Sequence, residues 1–267
     1  MRASEWIVLV YFVGLAGAAA AAPLPSDRRR RIVATALLIG VSVLVLAHVG
    51  STPPARVLRA WMPLGYILLG YWLPALLVTA PDQAFERRLL ALDHRWFGPR
   101  GLTVFVDRAP RIVIELLELA YLFCYPLMPI GFACLNAAGI RGEADRFWTA
   151  VVVAAFGCYG VLPWLPTRPP RAIENGSSRS RSSVRSLNLA VLGRASVRLN
   201  TFPSGHVATS LATALAVGAH LPLAGLLLGV LACAIAVGSV VGRYHYTADA
   251  LAGALVGLIG FAASRLI

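Results

Sequence analysis

Two histidines and an aspartate stand at the edges of long apolar stretches, where a membrane helix would meet water. His206 ends the run Thr201-Phe202-Pro203-Ser204-Gly205-His206, and His245 follows it after 39 residues, with Asp249 four positions further on. An ionisable residue at membrane depth is costly, so its presence there indicates a function. The spacing predicts a catalytic cluster at a membrane surface.

The residue types in this cluster suit the transfer of a group to and from an imidazole. His245 and Asp249 share a helical face, so the carboxylate can hold one ring nitrogen protonated and leave the other as a nucleophile or base. His206 can donate a proton to a leaving oxygen. Ser204 and Gly205 open a helix whose free N–H groups would face an anion. A purely structural His245–Asp249 hydrogen bond, or a capping turn with an incidental histidine, is the alternative.

Three arginines are candidate phosphate ligands. Arg168 and Arg171 lie in Pro-Thr-Arg-Pro-Pro-Arg, and Arg243 stands two residues before His245. The chain has 24 basic residues and none is lysine, so any cation that binds phosphate is the planar guanidinium fork of an arginine. Each arginine alone is typical of a topology signal or a headgroup contact, but together they predict a phosphate site. No Cys/His/Asp group has metal-ligand spacing, so we expect chemistry without a metal or other cofactor.

The composition predicts an all-α, multispanning integral membrane bundle. Of the 267 residues, 58% are hydrophobic and 13% charged, more apolar surface than a water-soluble domain of this length would cover. The net charge of +12 comes from arginines beside apolar segments. That placement suits anionic lipid headgroups rather than nucleic acid, so the expected partners are the bilayer and a lipid substrate. We expect a multi-pass protein of the cell membrane, and the sequence leaves its oligomeric state open.

The apolar pattern predicts about eight transmembrane helices, of which six form a catalytic core within 56–267 and two are additional helices within 1–55. The apolar runs are 5–22, 31–50, 61–80, 112–139, 146–165, 205–220, 222–242 and 246–266. The fourth run is long, and Pro126 and Pro129 can kink it. The first run also resembles a cleaved signal peptide, although we expect a retained helix.

Two connections carry further expectations. The segment 81–111 alternates large apolar residues with arginines and predicts a helix that lies in the membrane interface. The segment 172–200 predicts a flexible loop, with a Ser/Arg-rich tract at 177–186 and a short surface helix from 187 to 197. Two crossings and a tight turn between His206 and His245 return the chain to the face that carries these connections.

The motifs resemble those of the type 2 phosphatidic acid phosphatase superfamily. Phe202-Pro203-Ser204-Gly205-His206 is similar to its second motif, and Arg243-Tyr244-His245-Tyr246 with Asp249 to its third. The stretch 166–171 is similar to the first motif in the branch that contains inositol phosphorylceramide synthases. The chain departs from the commonest pattern, because Val161 and Ser239 stand where that pattern has a lysine and an arginine.

The resemblance implies a two-step phosphoryl transfer in which His245 attacks phosphorus, Asp249 orients it and His206 protonates the leaving alcohol. It also implies that five residues bind the phosphate oxygens: Arg168, Arg171, Arg243, Ser204 and Gly205. We therefore expect a metal-independent lipid phosphate phosphatase that forms a phosphohistidine. A lipid phosphotransferase of the inositol phosphorylceramide synthase type, or a non-catalytic anionic-lipid binder or transporter, is the alternative. The lipid itself stays open: phosphatidate, a polyprenyl phosphate or a ceramide-linked acceptor.

The membrane side of the site is also open. Most of the arginines, including Arg28 to Arg31, lie on the predicted active-site face, and the positive-inside bias would make that face cytoplasmic. The family resemblance implies an extracytoplasmic site.

Overall fold

The computed structural model describes residues 1–49, 52–174, 182–199 and 201–267. Across these ranges the chain is α-helical, with short 3-10 turns and no β-strand. The helices are α1 (Ala3–Ala21), α2 (Ser26–Val49), α3 (Pro53–Trp72), α4 (Gln83–Phe97), α5 (Gly101–Arg108), α6 (Arg111–Leu122), α7 (Cys124–Ala137), α8 (Ala144–Tyr159), α9 (Ser183–Ala195), α10 (Gly205–Gly218), α11 (Pro222–Val241) and α12 (Thr247–Ser264). The all-α class expected from the sequence is confirmed.

Five helices of the described chain are long and apolar enough to cross a bilayer: α1, α2, α3 with its following turn, α11 and α12. The pair α6 and α7 makes a sixth if it forms one broken span. Helices α8 and α10 have 16 and 14 residues, fewer than the ~20 that a span needs. The apolar run 146–165 is only partly helical, because α8 ends at Tyr159 and the rest forms turns. The chain is a membrane protein with five or six candidate spans, and the expected eight are not confirmed.

The bend between α6 and α7 has a local cause. The two helices meet at 61°, and Phe123 separates them. Pro126 has no N–H to donate to the carbonyl of Leu122, and its ring would clash with that carbonyl in a continuous helix. Pro129 lies inside α7, which continues past it to Ala137. Of the two prolines expected to kink this run, Pro126 stands at the break.

Helix α8 lies at the centre of the bundle, packed against α1, α3, α10 and α12. Its Trp148 and Ala150 are completely buried. Helix α12 approaches closely, because a Cβ on Gly260 would lie 2.4 Å from the carbonyl oxygen of Ala150. A Cβ on Gly253 would likewise lie 2.4 Å from the carbonyl oxygen of Ser204. Gly253 allows the N-terminal ends of α10 and α12 to touch, and Gly260 allows α12 to lie against α8.

The N-terminal helices share this core. The Tyr11 ring of α1 stacks on Phe156 of α8, with centroids 4.0 Å apart. Glu5 accepts hydrogen bonds from Nε and Nη2 of Arg59 in α3, at 2.5 and 2.7 Å. Helix α1 is therefore tied to α3 and α8 by aromatic packing and an ion pair.

The two long connections contain helices. In 81–111, α4 and α5 are separate, because Gly98 ends α4 with a φ of +77°. In 172–200, where a flexible loop was expected, residues 183–195 form α9, which begins four residues before the expected surface helix. Residues 175–181, in the tract expected to be mobile, lie outside the described residues.

Candidate active site

A cavity of about 290 Å³ is lined by residues from separated parts of the chain. Gly205 and His206 come from the start of α10, His245 from the turn before α12, and Arg168 and Arg171 from the segment after α8. Side chains of α3, α6, α8 and α9 complete the wall, among them Tyr71, Tyr121, Tyr159 and Leu192. The centroids of the two imidazole rings lie 5.9 Å apart. Both histidines therefore face one small volume.

His206 is held by a helix cap and by aromatic rings. Ser204 caps α10, since its Oγ accepts a hydrogen bond from the N–H of Val207 at 3.4 Å. The imidazole meets Tyr121 and Tyr125 edge-on, with centroid distances of 5.6 and 5.5 Å. No described residue forms a hydrogen bond with the ring nitrogens of His206. The ring is thus fixed in direction and able to exchange a proton with a ligand in the cavity.

The tautomer of His245 follows from its hydrogen bond. Nδ1 lies 2.9 Å from the carbonyl oxygen of Thr201. A carbonyl only accepts, so Nδ1 carries the proton and Nε2 carries the lone pair. The nearest oxygen of Asp249 is 3.4 Å from Nδ1, longer than a good hydrogen bond. Asp249 was expected to make this orienting contact, but in the structure the Thr201 carbonyl makes it.

Asp249 joins the two helix ends that carry the histidines. Its Oδ2 accepts a hydrogen bond from the N–H of Tyr246 at 2.9 Å, which caps α12. Its carbonyl oxygen accepts the N–H of Ser204 at 2.9 Å, across to α10. The side chain is completely buried, and Oδ1 has no partner among the described residues. Asp249 therefore fixes the start of α12 and places negative charge behind His245.

Arg168 and Arg171 differ in what binds them. Glu86 accepts hydrogen bonds from Nε and Nη2 of Arg168 at 3.1 and 2.8 Å, and this contact raises the pKa of that guanidinium. Arg171 has no carboxylate partner within the described part of the chain, and its Cζ lies 4.9 Å from the ring centroid of Tyr244. Burial lowers the pKa of Arg171. Arg171 is therefore a buried cation with spare donors in the cavity wall, which also includes the exposed Arg198.

Arg243, the third arginine predicted to bind phosphate, does not line the cavity. Its Nη1 donates to Oδ2 of Asp93 at 3.0 Å, and its Nε donates to Oε2 of Glu174 at 3.0 Å. The side chain is 8% exposed and lines a separate small pocket beside α4. Asp93 and Glu174, both distant from Arg243 in sequence, accept the hydrogen bonds that were expected to go to phosphate.

The start of α10 presents main-chain donors to the cavity. The N–H groups of Gly205 and His206 belong to the first helical turn and have no partner inside the helix. The N–H of Ser204 is taken by Asp249, and Ser204 does not line the cavity. A Cβ on Gly205 would lie 2.6 Å from Cε1 of Tyr159. Of the two residues predicted to bind phosphate here, Gly205 lines the cavity, whereas Ser204 caps α10 and lies outside the lining.

A threonine pair that sequence reasoning missed connects two motif segments. Oγ1 of Thr167 and Oγ1 of Thr201 are 2.5 Å apart, and the N–H of Thr167 donates to the carbonyl of Leu199 at 2.8 Å. Both threonines are buried. The pair holds the arginine segment against the residue whose carbonyl orients His245. Thr167 lies within the stretch 166–171 and Thr201 directly precedes Phe202 of the second motif, and that position was their only signal.

Helix α9 is anchored at its start by Glu118 of α6. Glu118 accepts hydrogen bonds from Nη1 of Arg185 and Nδ2 of Asn188, both at 2.8 Å, and from the Tyr244 hydroxyl at 2.5 Å. All four side chains are buried. This polar network lies behind the cavity and connects α9 to the turn that carries His245.

The other end of α9 is tied to α3. Nε1 of Trp72 donates to the carbonyl of Ala195 at 2.8 Å. The Tyr71 hydroxyl accepts the N–H of Val197 at 2.9 Å, and the Tyr71 ring lines the cavity. Helix α3 thus supplies both a wall of the cavity and a tether for the helix beside it.

The family model of the PAP2 superfamily matches residues 87–263, which contain both histidines, Asp249, Arg168 and Arg171. The chain belongs to the PAP2 superfamily. Membership of the PAP2 superfamily indicates phosphatase or phosphotransferase activity at the level of enzyme class. No curated protein and no solved structure matches this PAP2 protein. The match begins within α4, so α1 to α3 lie outside it.

Proposed function

We propose that this PAP2 protein is an integral-membrane lipid phosphate phosphatase that hydrolyses a phosphomonoester or pyrophosphate lipid through a phosphohistidine. The observation that carries the proposal is the Nδ1 hydrogen bond of His245, because it leaves the Nε2 lone pair free in a cavity shared with His206. A binder of anionic lipids has no need of a nucleophile held in one tautomer.

The reaction has two balanced steps. Nε2 of His245 attacks phosphorus, a P–N bond forms, and the bond from phosphorus to the leaving oxygen breaks as protonated His206 gives that oxygen its proton. A water molecule then attacks phosphorus while His206 takes a proton from it. The P–N bond breaks, inorganic phosphate leaves, and both rings return to their starting state. Asp249 stabilises the positive charge that His245 acquires in the intermediate.

The phosphate oxygens are bound by Arg171, by the N–H groups of Gly205 and His206, and by Arg168 at the edge of the cavity. The spare donors of Arg171 match planar recognition of phosphate oxygens. The positive end of the α10 dipole adds to the same field. These groups supply the charge that phosphoryl transfer needs, and we propose that the reaction is metal-independent.

The membrane arrangement is also proposed. We propose eight crossings in the cell membrane, because contacts at the end of the bundle away from the cavity join the start of α8 to the start of α1, the end of α10 and the C-terminal residue. There Ser4 bonds to Asp145 at 2.6 Å, His220 lies 3.5 Å from Glu143, and Arg146 donates to the C-terminal carbonyl of Ile267 at 2.8 Å. In this arrangement α8 and α10 cross with the other helices despite their length. A place in the inositol phosphorylceramide synthase-like branch rests on the stretch 166–171.

The test uses the full-length chain in detergent. His245→Ala should abolish phosphate release from a panel of lipid phosphates with chelator present, and His206→Ala should reduce it by about 10²–10⁴-fold. His220→Ala is the matched control, because this histidine lies at the opposite end of the bundle beside Glu143.

Radiolabelled substrate should give an acid-labile, base-stable phosphoprotein with the wild type and none with His245→Ala. Full turnover by His245→Ala would overturn the proposal. Product that appears only when an acceptor alcohol is added would assign the phosphotransferase instead.

A further inference from the structure

Asp93 of α4 makes contacts on both sides of His245. Its Oδ1 accepts the N–H of Thr247 at 3.0 Å, and its Oδ2 accepts Nη1 of Arg243 at 3.0 Å. These two partners stand two residues after and two residues before His245. Asp93 is 2% exposed and does not line the cavity that holds the histidines. One buried carboxylate therefore brackets the turn that carries the imidazole.

The turn needs such support because of its backbone. Arg243 has a φ of +58°, in the left-handed region that residues other than glycine adopt rarely. Its guanidinium is held by Asp93 and, through Nε at 3.0 Å, by Glu174. The anchored side chain fixes the residue from which the main chain runs through Tyr244 to His245.

The same turn also reaches the arginine segment. The carbonyl of Arg243 accepts the N–H of Arg171 at 3.3 Å. Glu174, three residues further along that segment, bonds to Arg243, and its Oε1 lies 3.2 Å from Nε2 of His94. Asp93 and His94 thus hold, from one helix, both the turn with His245 and the segment with Arg171.

We propose that Asp93 is a positioning residue for His245, acting through Arg243 and the start of α12 to hold the imidazole in line with bound phosphate. The inference rests on the proposed function. It gives α4 a role in the reaction besides any contact with the membrane surface.

The experiment measures single-turnover phosphorylation of the full-length chain by a radiolabelled lipid phosphate. Asp93→Asn should slow formation of the phosphoenzyme by about 10–100-fold, because displacement of a reacting group by about 1 Å has effects of that size. KM should stay within about twofold, since Glu174 still ties Arg243 to the segment that carries Arg171. The amount of leaving group released in that turnover should not change, since every folded molecule still reacts.

A second variant removes one hydrogen bond without changing the carboxylate. Thr247 is the first residue of α12 and Tyr246 before it is extended, a position where proline is well tolerated. Thr247→Pro deletes the N–H that Asp93 accepts and should slow phosphorylation by about 3–10-fold. Asp107→Asn, an exposed aspartate of neighbouring α5, is the matched control and should behave as the wild type.

The outcomes separate the two claims. Wild-type rates in both Asp93→Asn and Thr247→Pro, beside an active wild type, would overturn the role of Asp93 and leave the phosphatase in place. A smaller amount of released leaving group with an unchanged rate constant would also overturn it, because that pattern reports a fraction of misfolded protein. A wild type that releases no phosphate from any lipid phosphate would overturn the proposed function and this inference together.

Discussion

His245 and Thr201 are joined by a hydrogen bond of 2.9 Å from the ring Nδ1 to the main-chain carbonyl. A backbone carbonyl holds the proton on Nδ1 and never takes it, so the nucleophilic nitrogen keeps its lone pair. The position of that carbonyl depends on the Oγ1–Oγ1 contact of Thr201 with Thr167, at 2.5 Å. The orientation of His245 is thereby linked to the segment that carries Arg168 and Arg171.

Thr201→Val removes the hydroxyl and keeps the carbonyl and the side-chain shape. We expect kcat to fall by about tenfold, because the loop that presents the carbonyl loses its contact with Thr167. Thr149→Val is the matched control, since the Thr149 hydroxyl is buried in α8 without a hydrogen-bond partner among the described residues. Initial rates of phosphate release measure the difference. An unchanged kcat in Thr201→Val would show that the carbonyl is held by other contacts.

Arg171→Gln should lower kcat/KM by about 10–100-fold. This loss corresponds to about 1.5–3 kcal/mol, the usual contribution of a hydrogen bond to a charged group. Arg168→Gln should have a smaller effect, because Glu86 already binds that guanidinium. Arg194→Gln, on the exposed side of α9, is the control. Steady-state kinetics with inhibition by inorganic phosphate make the measurement. Equal phosphate inhibition of Arg171→Gln and wild type would contradict the assignment.

Gly253→Ala should destabilise the protein by about 1–3 kcal/mol, because its Cβ would press on the Ser204 carbonyl and force α12 away from α10. Activity should fall with it, since Asp249 lies one turn earlier on the same face of α12. Gly229→Ala is the matched control, as a Cβ there meets nothing within 4 Å. Thermal unfolding in detergent compares the two. Equal melting temperatures would show that the two helices separate at little cost.

Glu118→Gln should destabilise the docking of α9 by about 3–5 kcal/mol, because it leaves the buried guanidinium of Arg185 without its counter-charge. Trypsin should then cleave after Arg185 faster than in the wild type. Glu143→Gln is the control, since this glutamate pairs with Arg146 at the partly exposed opposite end of the bundle. Cleavage rates followed by mass spectrometry test the expectation. Unchanged cleavage after Arg185 would mean that α9 stays docked without this ion pair.

The meeting of His206 and His245 follows from the sequence because apolar segments can be counted. Two helices joined by a tight turn at Leu221 return the chain to the side from which it left, whatever their tilt. The cavity that both histidines line agrees with that count. The membrane class and the helical fold can also be predicted from the sequence. A long apolar run in a bilayer can satisfy its backbone hydrogen bonds in few ways other than a helix.

The partners of the motif residues do not follow from the sequence. Arg243 stands beside His245 in the chain, but its guanidinium is taken by Asp93, 150 residues upstream. The oxygen that orients His245 belongs to the main chain of Thr201, and every residue has such an oxygen. The length of α8 could not be predicted either. An apolar run that is buried by neighbouring helices has the same sequence pattern as a full span that faces lipid.

Tyr71 and Trp72 belong to α3, which lies ahead of the residues that the family model matches. Both bond to the end of α9, and Tyr71 also lines the cavity. A chimera that joins residues 87–263 to the N-terminal helices of another protein would lose the Tyr71 wall of the cavity and the hydrogen bonds that hold the end of α9. The segment that the family model matches is therefore smaller than the unit that forms the cavity. Variation in α3 alone would reshape the site of this protein without altering any residue of its motifs.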